Sequence, residues 1–235
     1  MFFPIRDDQP SYSTPFVNYF IIGLNALVFI FELSVQKDGP DALNALVSRF
    51  GMVPRNFELA LAGSAHYNLA AVGLTIFTSM FLHAGWQHII GNMWILWIFG
   101  DNIEDYLGHF QYLLFYLLCG LAAGVTHILL NFGSTLPTVG ASGAIAGVMG
   151  AYLLLYPRAK VLTWVAFIFF FWLPAWIWLG GWFLLQFYIG TTLAAAGHQA
   201  SGGIAVWAHV GGFVMGLILI KLLPQRAIRQ RYASW

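Results

Sequence analysis

Long apolar runs decide what this chain can fold into. Residues 16–35, 86–105, 110–130, 142–156, 174–190 and 203–223 are each close to the length a helix needs to cross the hydrocarbon layer, roughly 30 Å at about 1.5 Å per residue. A chain in lipid must satisfy its backbone polar groups internally. Six such runs therefore predict an all-α, polytopic membrane bundle. Composition agrees, because 60% of the 235 residues are hydrophobic and 8% are charged, the balance of an integral membrane protein. Ten Lys+Arg against nine Asp+Glu leave no basic excess for nucleic acid. The single cysteine, Cys119, excludes an internal disulfide or a cysteine metal cluster, and nothing in the chain calls for a cofactor.

The segments between the runs are read in the same way. Residues 1–15 hold Arg6 beside Asp7 and Asp8, with three prolines, and lack the basic start and short apolar core of a cleaved signal peptide. The first run is therefore expected to stay in the mature protein. Within it, Asn18, Asn25 and Glu32 recur every seven residues on one face, which is expected to look into the bundle as polar packing. Residues 36–84, punctuated by Gly39, Pro40, Gly51, Pro54 and Gly63, predict a long, partly embedded first external loop. Its portion 69–82 is short for a crossing. In the third run, Gly120 and Gly124 read as a packing face and His127 as an interfacial histidine. Pro174 interrupts the apolar stretch 161–190, and the residue before a proline is pushed away from helix. We read 161–173 as a membrane-associated connector and 174–190 as the fifth crossing. The whole is one membrane domain, 1–235, with a short N-terminal segment 1–15, a core 16–223 and a basic tail 224–235.

Six crossings put both termini on one side. Arg6, Arg158, Lys160, Lys221, Arg226, Arg229 and Arg231 fall on that side, and Lys37, Arg49 and Arg55 on the other. Seven against three predicts cytoplasmic termini, as in a multi-pass protein of the cell (inner) membrane. Counting rise from charged markers, Ser142 lies about 24 Å from Arg158, His88 about 24 Å from Glu104 and His209 about 18 Å from Lys221. All three reach the outer half of the layer at similar depth.

The chemistry gathers around those three residues. Ser142 sits in Gly140-Ala141-Ser142-Gly143, at the start of an apolar helix. Glycines there let other segments approach, and the free N–H groups of the helix start favour an oxyanion. The plainer reading is that Gly143, Gly147 and Gly150 form a small-residue face for helix packing. His209 lies in Ala208-His209-Val210-Gly211-Gly212, with Gly216 on its helical face, so this helix could press on the glycine-rich fourth one and bring a base to a serine. No Asp or Glu follows Asp105, which argues against a Ser-His-Asp triad and leaves a Ser-His dyad. His88 and Asn92, four residues apart on one face, are then the candidate oxyanion donors.

These residues resemble the rhomboid family of intramembrane serine proteases, through Gly140-Ala141-Ser142-Gly143, Ala208-His209-Val210-Gly211 and His88-Ile89-Ile90-Gly91-Asn92 in that order. The resemblance spans about residues 16–223. It implies a six-helix rhomboid-like bundle with Ser142 as nucleophile, His209 as base, and His88 and Asn92 around the oxyanion, while His83 matches a structural histidine. Its expected partners are transmembrane protein substrates and the lipid bilayer. Two positions depart from the pattern: Ala146 stands where many members carry an aromatic that stacks on the base, and Val53-Pro54-Arg55-Asn56 stands where many carry a Trp-Arg pair. The function so implied is cleavage of transmembrane segments. A substrate helix already in lipid must enter sideways, and the fifth helix, with Trp176, Trp178, Trp182 and Phe183 and no charged residue, reads either as a movable wall against the second or as an ordinary lipid-facing aromatic surface. The competing class is a non-enzymatic membrane protein, either a rhomboid-like binding protein or a transporter.

Overall fold

The computed structural model describes residues 2–165, 168–195 and 205–226. Its elements run β1 (Phe2–Asp7), α1 (Phe16–Gln36), α2 (Pro40–Phe50), α3 (Pro54–Leu61), α4 (Leu69–Thr78), a 3-10 turn (Ser79–Phe81), α5 (Trp86–Leu107), α6 (His109–Leu130), α7 (Ser142–Leu155), β2 (Lys160–Val165), β3 (Phe169–Pro174), α8 (Ala175–Ala195) and α9 (Val206–Leu222). The start of the sixth run at 203 and the tail residues Arg229 and Arg231 lie outside the described residues. Among the described helices, α1, α6 and α8 are long and apolar enough to cross a membrane. A fourth such span results if α4 with its 3-10 turn and α5, which meet at 83°, are one bent unit. Helices α7 and α9 are apolar but have only 14 and 17 residues, about 21 and 26 Å of rise.

The all-α expectation needs one correction. Residues 161–173 form most of a hairpin, β2 against β3, and β1 joins its other edge to make an antiparallel sheet of order β1-β2-β3. The register runs from Lys160↔Pro174 to Val165↔Phe169. Val161, Thr163, Trp164, Val165, Phe169, Phe170, Phe171 and Trp172 are β-branched or aromatic residues, which suit a pleated surface. Pro174 closes β3 at its end, where a missing N–H costs least. The molecule is mostly helical, with this small sheet at one end.

That sheet ties the N-terminus to the bundle. The Tyr152 hydroxyl of α7 donates to the Asp7 carboxylate, and Trp94 Nε1 donates to the Pro4 carbonyl at 2.7 Å. Burial is the main cause that lifts the Asp7 pKa to about 6, with the Tyr152 hydrogen bond opposing it and the Asp8 charge adding to it. A carboxyl with a raised folded-state pKa holds its proton more tightly folded than unfolded. It therefore adds stability as pH falls from about 6 to about 4. Asp7→Asn should flatten that part of the melting-temperature profile in detergent; an unchanged profile would mean that Asp7 does not contribute to it.

The polar face of α1 is buried as expected, Asn18, Asn25 and Glu32 alike. Glu104 of α5, fully buried, accepts the backbone N–H groups of Val17 at 2.9 Å and Asn18 at 2.7 Å. An anion at a helix N-terminus is stabilised by those free donors and by the dipole. Asp105 accepts the Ser13 hydroxyl at 2.6 Å. These carboxylates brace α1 at the far end of α5 from His88.

At the centre, α9 lies against both α6 and α7. A Cβ at Gly212 would collide with the Gly143 carbonyl oxygen, one at Gly216 with that of Gly147, and one at Gly150 with that of Phe213. The helices thus touch backbone to backbone, the close approach that small residues permit between apolar helices. Gly120 and Gly124 of α6 serve a different neighbour, since their faces receive Met80 and Ile76 from the first loop. His127, near the end of α6, is buried, with Nε2 3.0 Å from Thr138 Oγ1, and so helps hold the loop that leads to Ser142.

Candidate active site

Ser142 is the first residue of α7, delivered by a loop pinned from two sides. Met52 and Thr138 exchange backbone hydrogen bonds at 3.0 and 2.8 Å, the Arg55 N–H donates to the Ser134 carbonyl, and the Gly140 N–H donates to the Ser79 carbonyl. Backbone pairing by Met52 and Arg55 therefore braces the first loop where the Trp-Arg pair is absent. Gly140 has φ +125°, and a Cβ there would lie 2.6 Å from His88 Nε2, so the turn into Ser142 admits only glycine.

The four residues singled out from the sequence line one cavity of about 730 Å³. Ser142 Oγ lies 2.8 Å from His209 Nε2, which is hydrogen-bonding distance from hydroxyl to imidazole. His88 Nδ1 accepts the Ala84 N–H at 3.3 Å, so the ring proton sits on Nε2, on the side facing Gly140. Asn92 is 8% exposed, and its Nδ2 has no hydrogen-bond partner among the described residues. A buried amide without a partner is costly, and here it lines the same cavity as Ser142. His83 is buried beside His88, ring centroids 5.0 Å apart, with its backbone N–H held by the Glu32 carboxylate. Among the described residues, no three His, Cys, Asp or Glu side chains come together as a metal-ligand set.

Two residues of the site were not anticipated in these roles. Gln186 of α8 places Oε1 3.0 Å from His209 Nδ1. The indole of Trp182, one turn earlier, lies 5.5 Å from the His209 ring at 40°, supplying from α8 the aromatic neighbour that Ala146 cannot. Trp182 stood out in the sequence only as part of a helix wall. Gln186 is the only amide in the run 174–190, a signal that could have marked it, but the partner it meets is 23 residues away on another helix.

A serine and a histidine in hydrogen-bonding contact, in a cavity inside an apolar helical bundle, define a membrane protein with the layout of a serine hydrolase site. Comparison with known proteins gives the family. The Rhomboid domain model matches residues 71–226, and the chain belongs to the rhomboid family. It is similar to Rhomboid protein 1, mitochondrial, of Saccharomyces cerevisiae, 28% identical over 168 residues, covering 67% of this chain and 44% of that protein. It is similar as well to Rhomboid-like protein 11, chloroplastic, of Arabidopsis thaliana, at 28% over 158 residues, 63% and 51% of the two chains. With Rhomboid protease GluP of Bacillus subtilis the identity is 38% over 102 residues, 42% of this chain and 19% of that one. The matched region spans about half or less of each of these relatives. Family membership supports an intramembrane protease at the level of the family.

Proposed function

We propose that this protein is an intramembrane serine endopeptidase that cuts transmembrane segments of other membrane proteins with a Ser142-His209 dyad. The observation that carries this reading is the 2.8 Å contact between Ser142 Oγ and His209 Nε2 inside the cavity. Ser142 Oγ attacks the scissile carbonyl carbon while its proton passes to His209 Nε2. The carbonyl oxygen becomes an oxyanion and receives hydrogen bonds from His88 Nε2–H, Asn92 Nδ2–H and the Ser142 backbone N–H. When the tetrahedral intermediate collapses, the C–N bond breaks and His209 returns the proton to the leaving amine. A water deprotonated by His209 then hydrolyses the acyl ester and frees Ser142.

The membrane arrangement belongs to the same proposal: one rhomboid-type domain, 1–235, whose six crossings are α1, α5, α6, α7, α8 and α9. The distribution of basic residues supports cytoplasmic termini in a cell (inner) membrane. Arg6 and Lys160 share the β1–β2 pair, and the Arg226 N–H reaches the Tyr106 carbonyl near the end of α5. In that setting the short α7 and α9 suit a site sunk below the outer face, because each begins at a reacting residue or one turn before it.

The direct test is reaction of the detergent-purified protein with a fluorophosphonate, followed by mass spectrometry of the labelled peptide. Label on Ser142 supports the protease; no label and no cleavage of a single-span substrate leave the binding protein or transporter. For the oxyanion, one preorganised donor is worth about 10² to 10³ in kcat, so Asn92→Ala should fall by that factor with KM little changed. A folded variant with full kcat removes Asn92 from the mechanism. For entry, α8 is the wall to move: only Ala175, Leu179 and Gly190 of it are buried, and it meets α5 through Trp178 and Phe99, 5.9 Å apart. Because Trp182 also touches His209, the cleaner probe is Phe183, stacked on Phe213 at 4.5 Å. Phe183→Ala should raise turnover of a membrane-embedded substrate relative to a short soluble peptide; an equal effect on both counts against a lateral gate.

A further inference from the structure

The imidazole of a serine hydrolase must present a bare Nε2 to the hydroxyl, so its proton has to be kept on Nδ1. In a triad a carboxylate does this from behind the ring. No described carboxylate is hydrogen-bonded to His209, whose ring partners are Ser142 on one side and Gln186 on the other. We propose that Gln186 is the positioning residue of the base, its Oε1 accepting the Nδ1–H of His209 and so holding the tautomer whose Nε2 faces Ser142. An amide oxygen can do this because it is an acceptor with no proton of its own. The inference rests on the protease reading for its purpose but not for its geometry.

The surroundings of Gln186 favour a task over an accident. The residues around it on α8 are apolar, and Leu184, Leu185, Phe187 and Tyr188 are all exposed on the outside of the bundle. Gln186 itself turns inward and lines the cavity with Ser142 and His209. A primary amide in a lipid-embedded helix is costly unless satisfied, and here its oxygen meets the ring nitrogen that the dyad leaves free. Trp182, four residues earlier on the same face, covers the ring and limits its rotation. The base on α9 is thus aligned from α8, and only while α8 rests against α9.

The test reads the ring directly. In detergent-solubilised protein carrying 15N-labelled histidine, the His209 signal is identified by its loss in His209→Asn. We expect the wild type to show the Nδ1–H tautomer, and Gln186→Leu, which keeps the bulk and loses the acceptor, to lose that preference. Gln186→Leu should also lower kcat about 10- to 100-fold with KM nearly unchanged, no more than the lower end of the 10²–10⁴ that a general base supplies. Gln186→Glu, which keeps the acceptor, should retain both the tautomer and most of the kcat. A wild-type His209 protonated on Nε2, or a Gln186→Leu protein with the same tautomer, overturns the inference even if that protein is fully active. A Gln186→Glu protein as impaired as Gln186→Leu overturns it as well, since packing would then be the only role. If the wild type neither labels nor cleaves, yet Gln186→Leu changes the tautomer, the protease reading fails and this one stands. If Gln186→Leu does not fold, the wild-type tautomer and the Gln186→Glu protein decide.

Discussion

Alanine at Ser142 or at His209 should abolish cleavage of a single-span substrate, and the double replacement should be hardly worse than either single one. Nucleophile and base act as a unit, so losing one leaves nothing for the other to activate. In a dyad of this kind the single loss is expected to reach about 10⁴-fold or more in kcat, with only oxyanion stabilisation and binding remaining. Fluorophosphonate labelling at Ser142 should disappear in His209→Ala although the serine is still present. Additive losses in the double mutant would show that the two side chains act separately. The carboxylates supply the control. Glu104 and Asp105 are engaged with the N-terminal turn of α1 and with Ser13, so neutralising them perturbs folding, whereas Asp101→Asn tests for a hidden acid with less damage. Labelling should survive that change; its loss in a folded protein would mean that an acid assists His209.

The second large effect is expected far from any reacting atom. Gly216→Leu should leave no measurable turnover and lower the melting temperature, because a side chain at 216 must push into the Gly147 backbone, which cannot yield as a flexible side chain would. Overpacking a tight core costs about 1–3 kcal/mol and more against rigid backbone. The catalytic consequence follows from geometry. Ser142 rides on α7 and His209 on α9, 2.8 Å apart, and a misplacement of about 1 Å can cost about 10² in rate. Gly212→Ala, directed at the Gly143 carbonyl, should act in the same direction with a smaller volume. Gly180→Ala and Gly181→Ala on α8 are the counterparts, since a Cβ at either meets nothing within 4 Å. They should be neutral or gain up to about 1 kcal/mol from helix propensity. Equal damage at 180 and 216, read by thermal unfolding and kcat, would refute the view that backbone contact between α7 and α9 sets the site.

Some of this was legible before any coordinate. The apolar runs over 16–35, 110–130 and 174–190 became α1, α6 and α8 with ends shifted by a few residues, because length and hydropathy suffice to mark a helix that crosses lipid. The buried seven-residue spacing of Asn18, Asn25 and Glu32 was readable as a face for the same reason. The sheet was not legible, since β1 pairs with a strand more than 150 residues away and no local pattern announces a partner at that distance. The contact of His127 was not legible either, because the loop carrying Thr138 that meets it lies beyond the end of its helix.

What the sequence determined by itself is local: which stretches are apolar enough for lipid, where glycine permits close contact, and which side chains have the chemistry of a nucleophile, a base and oxyanion donors. What the tertiary structure decided is which of them meet. Glycine faces permit an approach in several directions, and only the packing of α9 against α6 and α7 converts the permission into a 2.8 Å contact between Ser142 and His209. The same holds behind the ring. Ala146 announced only an absence, and the groups that stand in for the missing aromatic and the missing acid, Trp182 and Gln186, come from α8. A single-chain pattern carries the period of one helix; the angle and distance between two helices arise from the summed contacts of both, which no stretch of either contains.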